Sequence, residues 1–493
     1  MKKRIKAALL SVFLIFTVFS GTSYALPQFP MNYVYEEGKN KTAGVASSKI
    51  YIPLTYKATD SYFTVYDIDY PDLNAPEDLF VDSHDNIYVA DTGNNRIVAF
   101  DKAGSTKAVY YGASGSQFSL PKGVYVTAED EIYVADFGNA RIVQMDSDGK
   151  LVKEYFKPES DLLSQMESFD VAKVVIGPTG YIYTLVGNEF MAIDNQNRFK
   201  GFLGATELGF DLIQFLIRNF ASKEQQKKIK KRIPPAYNNL FIDSENRFVA
   251  CSAADTNQIR VINSVGKNIY KPGFYGEAHS LDENNRLLMP SFVDLTVDKN
   301  GIISVIEQRS GKIYQYDGNG NILTVFAGKG RNKGYFTLAC SIGSDSAGNL
   351  YVLDQTRCNI QKFEPTEFIK KVHAASASFL RGKYDESFTQ WKEIVRVNAD
   401  YPLARRRLGA LYYKQEKSQE AMQQYLIADD MGGYSEAFSL YRHEIFKKHF
   451  GLTVLIAVMI LAALIAGIYY LKKYSDRLRL KAYALRGVKN YKA

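Results

Sequence analysis

A fifteen-residue pattern that recurs along the chain constrains its fold more than any other feature. IYVADTGNNRIVAFD (87–101) and IYVADFGNARIVQMD (132–146) lie 45 residues apart. Two further clear copies, at 303–317 and 350–364, keep the same frame, and two degenerate copies, at 182–194 and 248–263, fill the gap between the pairs. Each copy follows a short apolar segment, such as LFVD at 79–82. A period of about 45 residues that holds short strands and Gly, Asn and Asp turns indicates a repeated antiparallel sheet.

Six such copies predict a mainly β fold, a six-bladed β-propeller over residues 62–366 with one four-stranded sheet per blade. The last copy stops after its third strand, whereas Tyr62–Asp69 (YFTVYDID) is an extra strand ahead of the first copy. We expect these two to pair, because closing the ring removes exposed sheet edges.

The frame P-x-x-V…G-x-IYVAD-x-x-NxRI-x-x-FD-x-x-G resembles the NHL-repeat propellers, over roughly residues 62–366. The resemblance is clear in four copies and weak in the two degenerate ones. It implies a binding platform or, less often, a lyase or a lactonase-like hydrolase. Because one fold hosts many activities, the resemblance specifies the fold rather than the reaction.

One residue at the start of the innermost strand of each blade is expected to point into the mouth of the central channel. By alignment this ring is Asp78, Gly123, Lys173, Asn239, Asp294 and Ser341. Asp78, Lys173, Asn239 and Asp294 are the candidate ligand-binding side chains, and we expect the two carboxylates in solvated space. The alternative is a channel filled with ordered water. No metal site is predicted, although Asp78, Asn239 and Asp294 are the oxygen ligands that a divalent cation would use.

The turns between the middle strands form a second candidate group on the same face. They carry Asp91, Arg96, Asp136, Arg141, Glu307, Arg309, Asp354 and Arg357. An acidic residue at such a turn accepts backbone N–H bonds, and an Arg packs its stem between blades, so a structural role explains most of them. Cys340 opens an inner strand and Cys358 lies in the adjacent turn, which leaves a disulfide open.

Enzymatic interpretations find little support in the residues. The resemblance to NHL propellers includes amidating lyases, which use His-bound zinc. The propeller of this chain holds only His84 and His279, and His84 lies in a turn on the opposite face. No G-x-S-x-G segment and no Cys–His pair is present. We therefore favour a protein without catalytic activity and without a required cofactor.

Both ends of the chain carry membrane signals. Lys2, Lys3, Arg4 and Lys6 precede an apolar run at 7–19 and the small-residue site Ser23–Ala25, which predicts a signal peptide over 1–25. The alternative is an uncleaved anchor. Residues 451–471 are apolar without a charge and long enough to span a bilayer. The basic residues of 472–493 then place the C-terminus in the cytoplasm and the preceding domains outside the cell.

The net charge of +8 is concentrated at these ends. With the +4 of the first six residues and the +7 of residues 472–493 removed, the remainder is −3, which argues against a nucleic-acid partner. Only three cysteines occur, so the fold does not depend on a disulfide framework.

Three segments complete the predicted organisation. Residues 26–61 form an N-terminal extension, and 209–236 form a helical insertion in the propeller, with helically spaced apolar residues and a basic run. Residues 367–447 resemble two tetratricopeptide repeats plus a final helix, since Trp391 and Tyr425 lie 34 residues apart in matching frames. This domain is interpreted either as a spacer or as a partner-binding groove.

These features together predict a single-pass cell-surface protein whose propeller acts as a binding, scaffold or receptor module. Its expected partners are the bilayer, a protein of the membrane or cell envelope, and a glycan or small polar ligand. Similar propeller–helix–anchor chains are associated with carbohydrate import systems, so the resemblance implies a link to such a complex. The alternative is an anchored metal-dependent enzyme of the lactonase-like or lyase-like kind.

Overall fold

The computed structural model describes most of the chain in two compact units that meet between Leu403 and Ala404. The described residues are 32–35, 49–63, 72–113, 115–164, 166, 168–187, 189–203, 237–253, 256–263, 266–277 and 289–489. The predicted signal peptide (1–25) and the predicted helical insertion (209–236) lie outside these residues.

The first unit is a six-bladed β-propeller, as predicted. Blades 1 to 3 are four-stranded sheets. Blade 1 consists of β4 (Asp78–Val81), β5 (Ile87–Asp91), β6 (Arg96–Phe100) and β7 (Thr106–Tyr110), and blade 2 of β10 (Pro121–Val126), β11 (Ile132–Asp136), β12 (Arg141–Met145) and β13 (Leu151–Tyr155). Blade 3 consists of β14 (Val171–Ile176), β15 (Ile182–Val186), β16 (Glu189–Ile193) and β17 (Phe199–Phe202). A two-stranded ribbon, β8 (Gly112–Ala113) with β9 (Ser116–Gln117), connects blades 1 and 2.

Blades 4 to 6 complete the ring. Blade 4 consists of β18 (Tyr237–Ile242), β19 (Phe248–Ser252) and β20 (Ile259–Ile262). Blade 5 contains β21 (Phe292–Val297), β22 (Ile303–Glu307), β23 (Lys312–Tyr316) and β24 (Ile322–Ala327), and blade 6 contains β25 (Ala339–Ser344), β26 (Leu350–Asp354) and β27 (Asn359–Pro365). The innermost strand of each blade contacts that of the next, and β25 returns to β4. We call the end at which these inner strands begin the upper end.

The core lies between neighbouring blades. Val98 of blade 1 packs with Leu353 of blade 6, while Ala90 and Ile97 on the other side of blade 1 pack with Val134 of blade 2. Each sheet thus buries both faces, which explains why its strands are almost continuously apolar.

At the lower end, the same hydrogen-bonding arrangement recurs in the turns between strands. In eight of these turns an Asp side chain accepts the backbone N–H groups two and four residues further on, as Asp345 does from Ala347 and Asn349 at 3.0 and 2.8 Å. The residue three positions after the Asp has a left-handed backbone conformation, as Gly348 does with φ +83°, and glycine adopts this conformation without strain. The recurrent D-x-x-G of the repeat is therefore a turn signal.

A strand from before the first repeat closes the ring, but not at the predicted position. β3 (Tyr56–Phe63) pairs with β27 as the outer strand of blade 6. The predicted closing strand, Tyr62–Asp69, overlaps it only at Tyr62 and Phe63, and 64–71 lie outside the described residues. The register follows burial, because Tyr56 and Phe63 enter the core, with exposed fractions of 5 % and 3 %.

The N-terminal extension adds two strands that the sequence did not indicate. β1 (Tyr33–Tyr35) pairs with β24, and β2 (Lys49–Tyr51) pairs with β1, so that blade 5 has six strands. The Tyr33 hydroxyl donates to the buried Glu277 carboxylate, and Lys312 Nζ lies 2.9 Å from the same carboxylate. These contacts hold the extension against the propeller.

Two helices, α1 (Glu367–Leu380) and α2 (Tyr384–Val397), form a hairpin, and α1 packs on the lower end of blade 5. His373 Nε2 lies 3.1 Å from Gln315 Oε1, and Ser376 donates to Asp317 at 3.2 Å. After α2, the Tyr401 hydroxyl donates to the Leu323 carbonyl at 2.8 Å. The propeller and this helical hairpin therefore form one packed unit.

The helices continue with α3 (Pro402–Lys414), α4 (Ser418–Ile427), α5 (Met431–Lys448) and α6 (Phe450–Lys489). In the second unit, a Cβ at Gly409 or Gly433 would lie 2.9 or 2.3 Å from the Tyr425 ring, so glycine permits the close helix packing. Helical hairpins at 367–447 are confirmed, whereas their membership of the tetratricopeptide family stays a prediction. The segment Phe450–Ala482 of α6 is long and apolar enough to cross a membrane.

Candidate functional site

The predicted ring at the upper end forms one hydrogen-bonded network. Asp78 of blade 1 lies 2.5 Å from Lys173 Nζ of blade 3 and accepts the Val124 N–H of blade 2 at 2.9 Å. Gly123 lets the inner strands of blades 2 and 3 lie close together here, since a Cβ at Gly123 would lie 2.9 Å from the Ala172 carbonyl oxygen. Three blades are thus linked through one carboxylate.

Asp294 links the other three blades. Its carboxylate accepts from the Asn239 amide of blade 4, and from the Ser341 hydroxyl and the Ile342 N–H of blade 6, the latter at 2.8 Å. Ser341 also lies 3.3 Å from the Asp78 carboxylate. The structure therefore brings together all five polar members of the predicted ring.

The expectation that these carboxylates lie in solvated space is wrong. Asp78 is 3 % exposed, Asp294 2 % and Lys173 9 %. Lys173 reaches across the ring to Asp78, and the Ser341 hydroxyl lies between the two carboxylates, within hydrogen-bond distance of each. The network is consequently a polar core rather than an open mouth.

Burial and mutual charge set the protonation of this network. Burial raises the pKa of Asp294 to about 6, an effect that Lys173 opposes and Asp78 reinforces. Burial lowers the pKa of Lys173, but the two carboxylates outweigh it and leave that pKa raised. Lys173 is therefore a cation in contact with Asp78, and the charge of Asp294 also favours its protonated form.

A central cavity of about 70 Å³ adjoins the network. Lys173, Asn239 and Asp294 line it, together with mainly apolar residues such as Phe80 and Val297. This volume holds about five water molecules, whereas sites for small-molecule ligands occupy ~300–1,000 Å³. The cavity thus fits the water-filled interpretation of the channel.

The three candidate oxygen ligands do not fit a divalent cation. The Lys173 ammonium lies against Asp78, where it provides the positive charge that an ion would supply. The Asp294 oxygens already accept from Asn239, Ser341 and Ile342. A dication would have to displace these donors and approach an ammonium group, which electrostatics opposes.

A separate acidic and histidine group lies at the lower end. Ligand atoms of Asp82, His84 and Asp130 lie within 4.8 Å of one another. Asp82 is already engaged in its turn, where it accepts from the N–H groups of His84 and Asn86 at 2.8 Å each. His84 is exposed at this end, opposite the ring, as the sequence predicted.

The acidic residues of the upper turns have the structural role that turn chemistry predicted. Each accepts a backbone N–H from the segment that enters the inner strand of its own blade. The pairs are Asp91 with Asn74, Asp136 with Ser119, Glu307 with Ser291, and Asp354 with Thr337.

Two of the arginines complete these turns. Arg96 is fully buried, with its Nε 2.6 Å from Asp91, and Arg141 Nε lies 2.7 Å from Asp136. Arg357 donates to the Tyr335 carbonyl at 3.4 Å, and Arg309 is exposed. The ion pairs of Arg96 and Arg141 brace their blades, and a binding role of the upper turns stays a prediction.

The disulfide that the sequence left open is absent: Cys340 and Cys358 are free thiols. The Cys340 thiol is directed at the Pro76 and Leu353 carbonyls, 3.5 Å from each, and the Cys358 thiol lies 3.3 Å from the Gln355 carbonyl. Burial raises the pKa of the Cys340 thiol well above its ordinary value, so that this thiol stays protonated.

Sequence reasoning missed the exposed apolar side chains of the upper end. They lie in the connections from blade 1 to blade 2 and from blade 2 to blade 3, at Tyr111, Leu120, Phe156 and Leu162, with exposed fractions from 43 % to 76 %. Their signal was large apolar residues in loops outside the repeat frame, which the repeat-based alignment leaves out.

Comparison with known proteins concerns the propeller. Residues 68–166, which include blades 1 and 2, match the family model of the SMP-30/gluconolactonase/LRE-like region. No curated protein matches the sequence.

Solved structures similar to this chain include a streptogramin B lyase, at 13 % identity and a TM-score of 0.39, covering 63 % of this chain and 98 % of that one. A gluconolactonase from Xanthomonas campestris has 11 % identity and a TM-score of 0.39, covering 59 % and 86 %. The extracellular domain of a putative hybrid two-component system from B. thetaiotaomicron has 12 % identity and a TM-score of 0.38, covering 62 % and 42 %.

Proposed function

We propose that this chain is a membrane-anchored, extracytoplasmic propeller that binds a partner and does not catalyse a reaction. The observation that carries the proposal is the closed network around Lys173. Its two carboxylates are buried and paired with donors within the fold. A general base or a metal ligand needs a free oxygen directed at a substrate, and these oxygens are already engaged.

The partner-binding surface is proposed at the upper end of blades 1 to 3. Tyr111, Leu120, Phe156 and Leu162 expose large apolar groups there, while α1 packs at the lower end of blade 5. A contiguous apolar patch on a folded surface favours association with a protein, and we propose that these four side chains form one. We therefore favour a protein of the membrane or cell envelope, such as an import complex, over a small polar ligand in the channel.

Anchoring is supported by α6, whose apolar part is long enough for a bilayer, and by the basic residues that follow it. In this arrangement the propeller lies outside the cell and the C-terminal tail lies inside. The helices between the propeller and α6 would link the bound partner to the membrane.

Affinity capture from membranes of the source cells tests the proposal, with the full-length chain as bait. The Leu120→Ser/Leu162→Ser variant should bind the partner at least about tenfold more weakly than the parent chain, which corresponds to ~1.4 kcal/mol of binding free energy. Ile269→Ser is the matched control, because Ile269 is 51 % exposed in the connection after β20. Equal capture by all three proteins would refute the proposed surface.

A second candidate function, a lactonase-like enzyme, is favoured by the family match over 68–166. The same purified chain, dialysed and analysed for metals, should show no stoichiometric divalent ion and no hydrolysis of sugar lactones. A bound ion together with turnover that disappears in a folded Asp294→Asn variant would establish the enzyme and refute the binding proposal.

A further inference from the structure

The helix that follows the apolar span does not end at the membrane boundary. α6 is one continuous helix of 40 residues, and it extends beyond Leu471 as far as Lys489. Leu471, Tyr474 and Leu478 are 71 %, 63 % and 50 % exposed, and Ala482 is also exposed. Steps of three and four residues place these four side chains along one face of the helix.

Cations surround this face. Residues 472–482 carry Lys472, Lys473, Arg477, Arg479 and Lys481 against the single acid Asp476, with one apolar residue outside the apolar face, Leu480, among them. All of them are exposed. An apolar stripe flanked by cations is the pattern of a helix that lies in a lipid interface.

We propose that residues 471–482 bend away from the span axis and bind the inner surface of the membrane through anionic phospholipid headgroups. The inference rests on the membrane anchoring proposed above. Charge complementarity identifies the occupant, because the cytoplasmic leaflet is rich in anionic lipid and attracts basic segments within a Debye length. Leu471, Tyr474 and Leu478 then enter the acyl boundary instead of facing water.

A tryptophan at Ala482 distinguishes a bent segment from a straight one. Ala482 lies eleven residues beyond Leu471, so a straight helix holds it ~16 Å outside the apolar layer. A segment that lies on the surface brings it to the acyl boundary. Trp391 is the only native tryptophan and is fully buried, so it adds a constant background.

The full-length Ala482→Trp protein is reconstituted in vesicles that contain lipids with brominated acyl chains as quenchers. Quenching of the new tryptophan should be at least about threefold stronger when about one third of the lipid is phosphatidylserine than in pure phosphatidylcholine. The difference should disappear at about 1 M salt, where the Debye length is ~3 Å. It should also disappear when the five cations of 472–481 are replaced by Gln.

The matched control is Lys447→Gln/Lys448→Gln, which removes two cations from the other end of the span and should leave the quenching unchanged. Quenching that is independent of phosphatidylserine, or that persists in the five-Gln variant, would overturn the proposal. Failure of the parent chain to float with any vesicles would instead refute the anchoring itself.

Discussion

Replacing Lys173 by Met tests whether this residue is the internal counterion of the propeller. The substitution keeps much of the side-chain volume but leaves Asp78 and Asp294 buried near each other without a cation. Removing one partner of a buried ion pair costs about 3–5 kcal/mol. For a domain of this size, we expect the melting temperature to fall by on the order of 6–10 °C at pH 8.

The stability lost in the Lys173→Met variant should be larger at high pH than at low pH. Burial already raises the pKa of Asp294 to about 6, and removal of Lys173 raises it further. From that raised pKa, above 6, down to about pH 4, the folded variant binds a proton that the unfolded chain does not, so its stability increases as pH falls. Each additional pKa unit recovers about 1.4 kcal/mol on acidification.

Thermal unfolding of the full-length chain in detergent, at pH 8 and pH 5, measures both effects. Lys150→Met is the control, because Lys150 is 75 % exposed and pairs with Asp148 at the surface, and its loss should change stability by less than ~1 kcal/mol. Asp78→Asn combined with Lys173→Met should restore part of the stability. A Lys173→Met protein as stable as the control at both pH values would refute the reasoning.

Three other predictions concern closure, the upper turns and topology. Deletion of Tyr56–Phe63 should lower the melting temperature by about 10 °C or more, because β27 loses its partner; a shift under ~2 °C would contradict closure by β3. Arg96→Met should cost about 3–5 kcal/mol in chemical denaturation, while exposed Arg309→Met should cost less than ~0.5; similar values for both would argue against the bracing role. A reporter fused after Ala493 should be active only in the cytoplasm, and the mature chain should begin near Leu26; a tail cut by external protease would reverse this topology.

Much of the architecture could be predicted because the same local pattern of strands and turns recurs in every repeat. IYVAD followed by a turn and a second apolar strand predicts a hairpin wherever it occurs, and six copies predict the number of blades. The same frame identified Asp78, Lys173, Asn239 and Asp294 as neighbours, because equivalent positions of each inner strand meet at one end of the ring. The uninterrupted apolar run at 451–471 likewise identified the apolar part of helix α6.

The burial and the role of those neighbours could not be predicted, since they depend on distances across the ring. Whether Lys173 points to solvent or to Asp78 is decided by the position of Asp78, which lies on another blade and 95 residues away along the chain. The closing strand also began six residues before its predicted start, because its register is set by the pocket that receives Tyr56 and not by local alternation.

Sequence alone therefore determined the elements whose physics is local: the turns, the hairpins, the repeat number and the apolar span. Only the tertiary structure decided that the polar ring is a closed salt-bridged core and that the N-terminal segment joins blade 5 through Tyr33 and Glu277. The free energy of these contacts comes from groups 95 and 244 residues apart. No local pattern records such contacts, because their desolvation and pairing arise only when the ring is assembled.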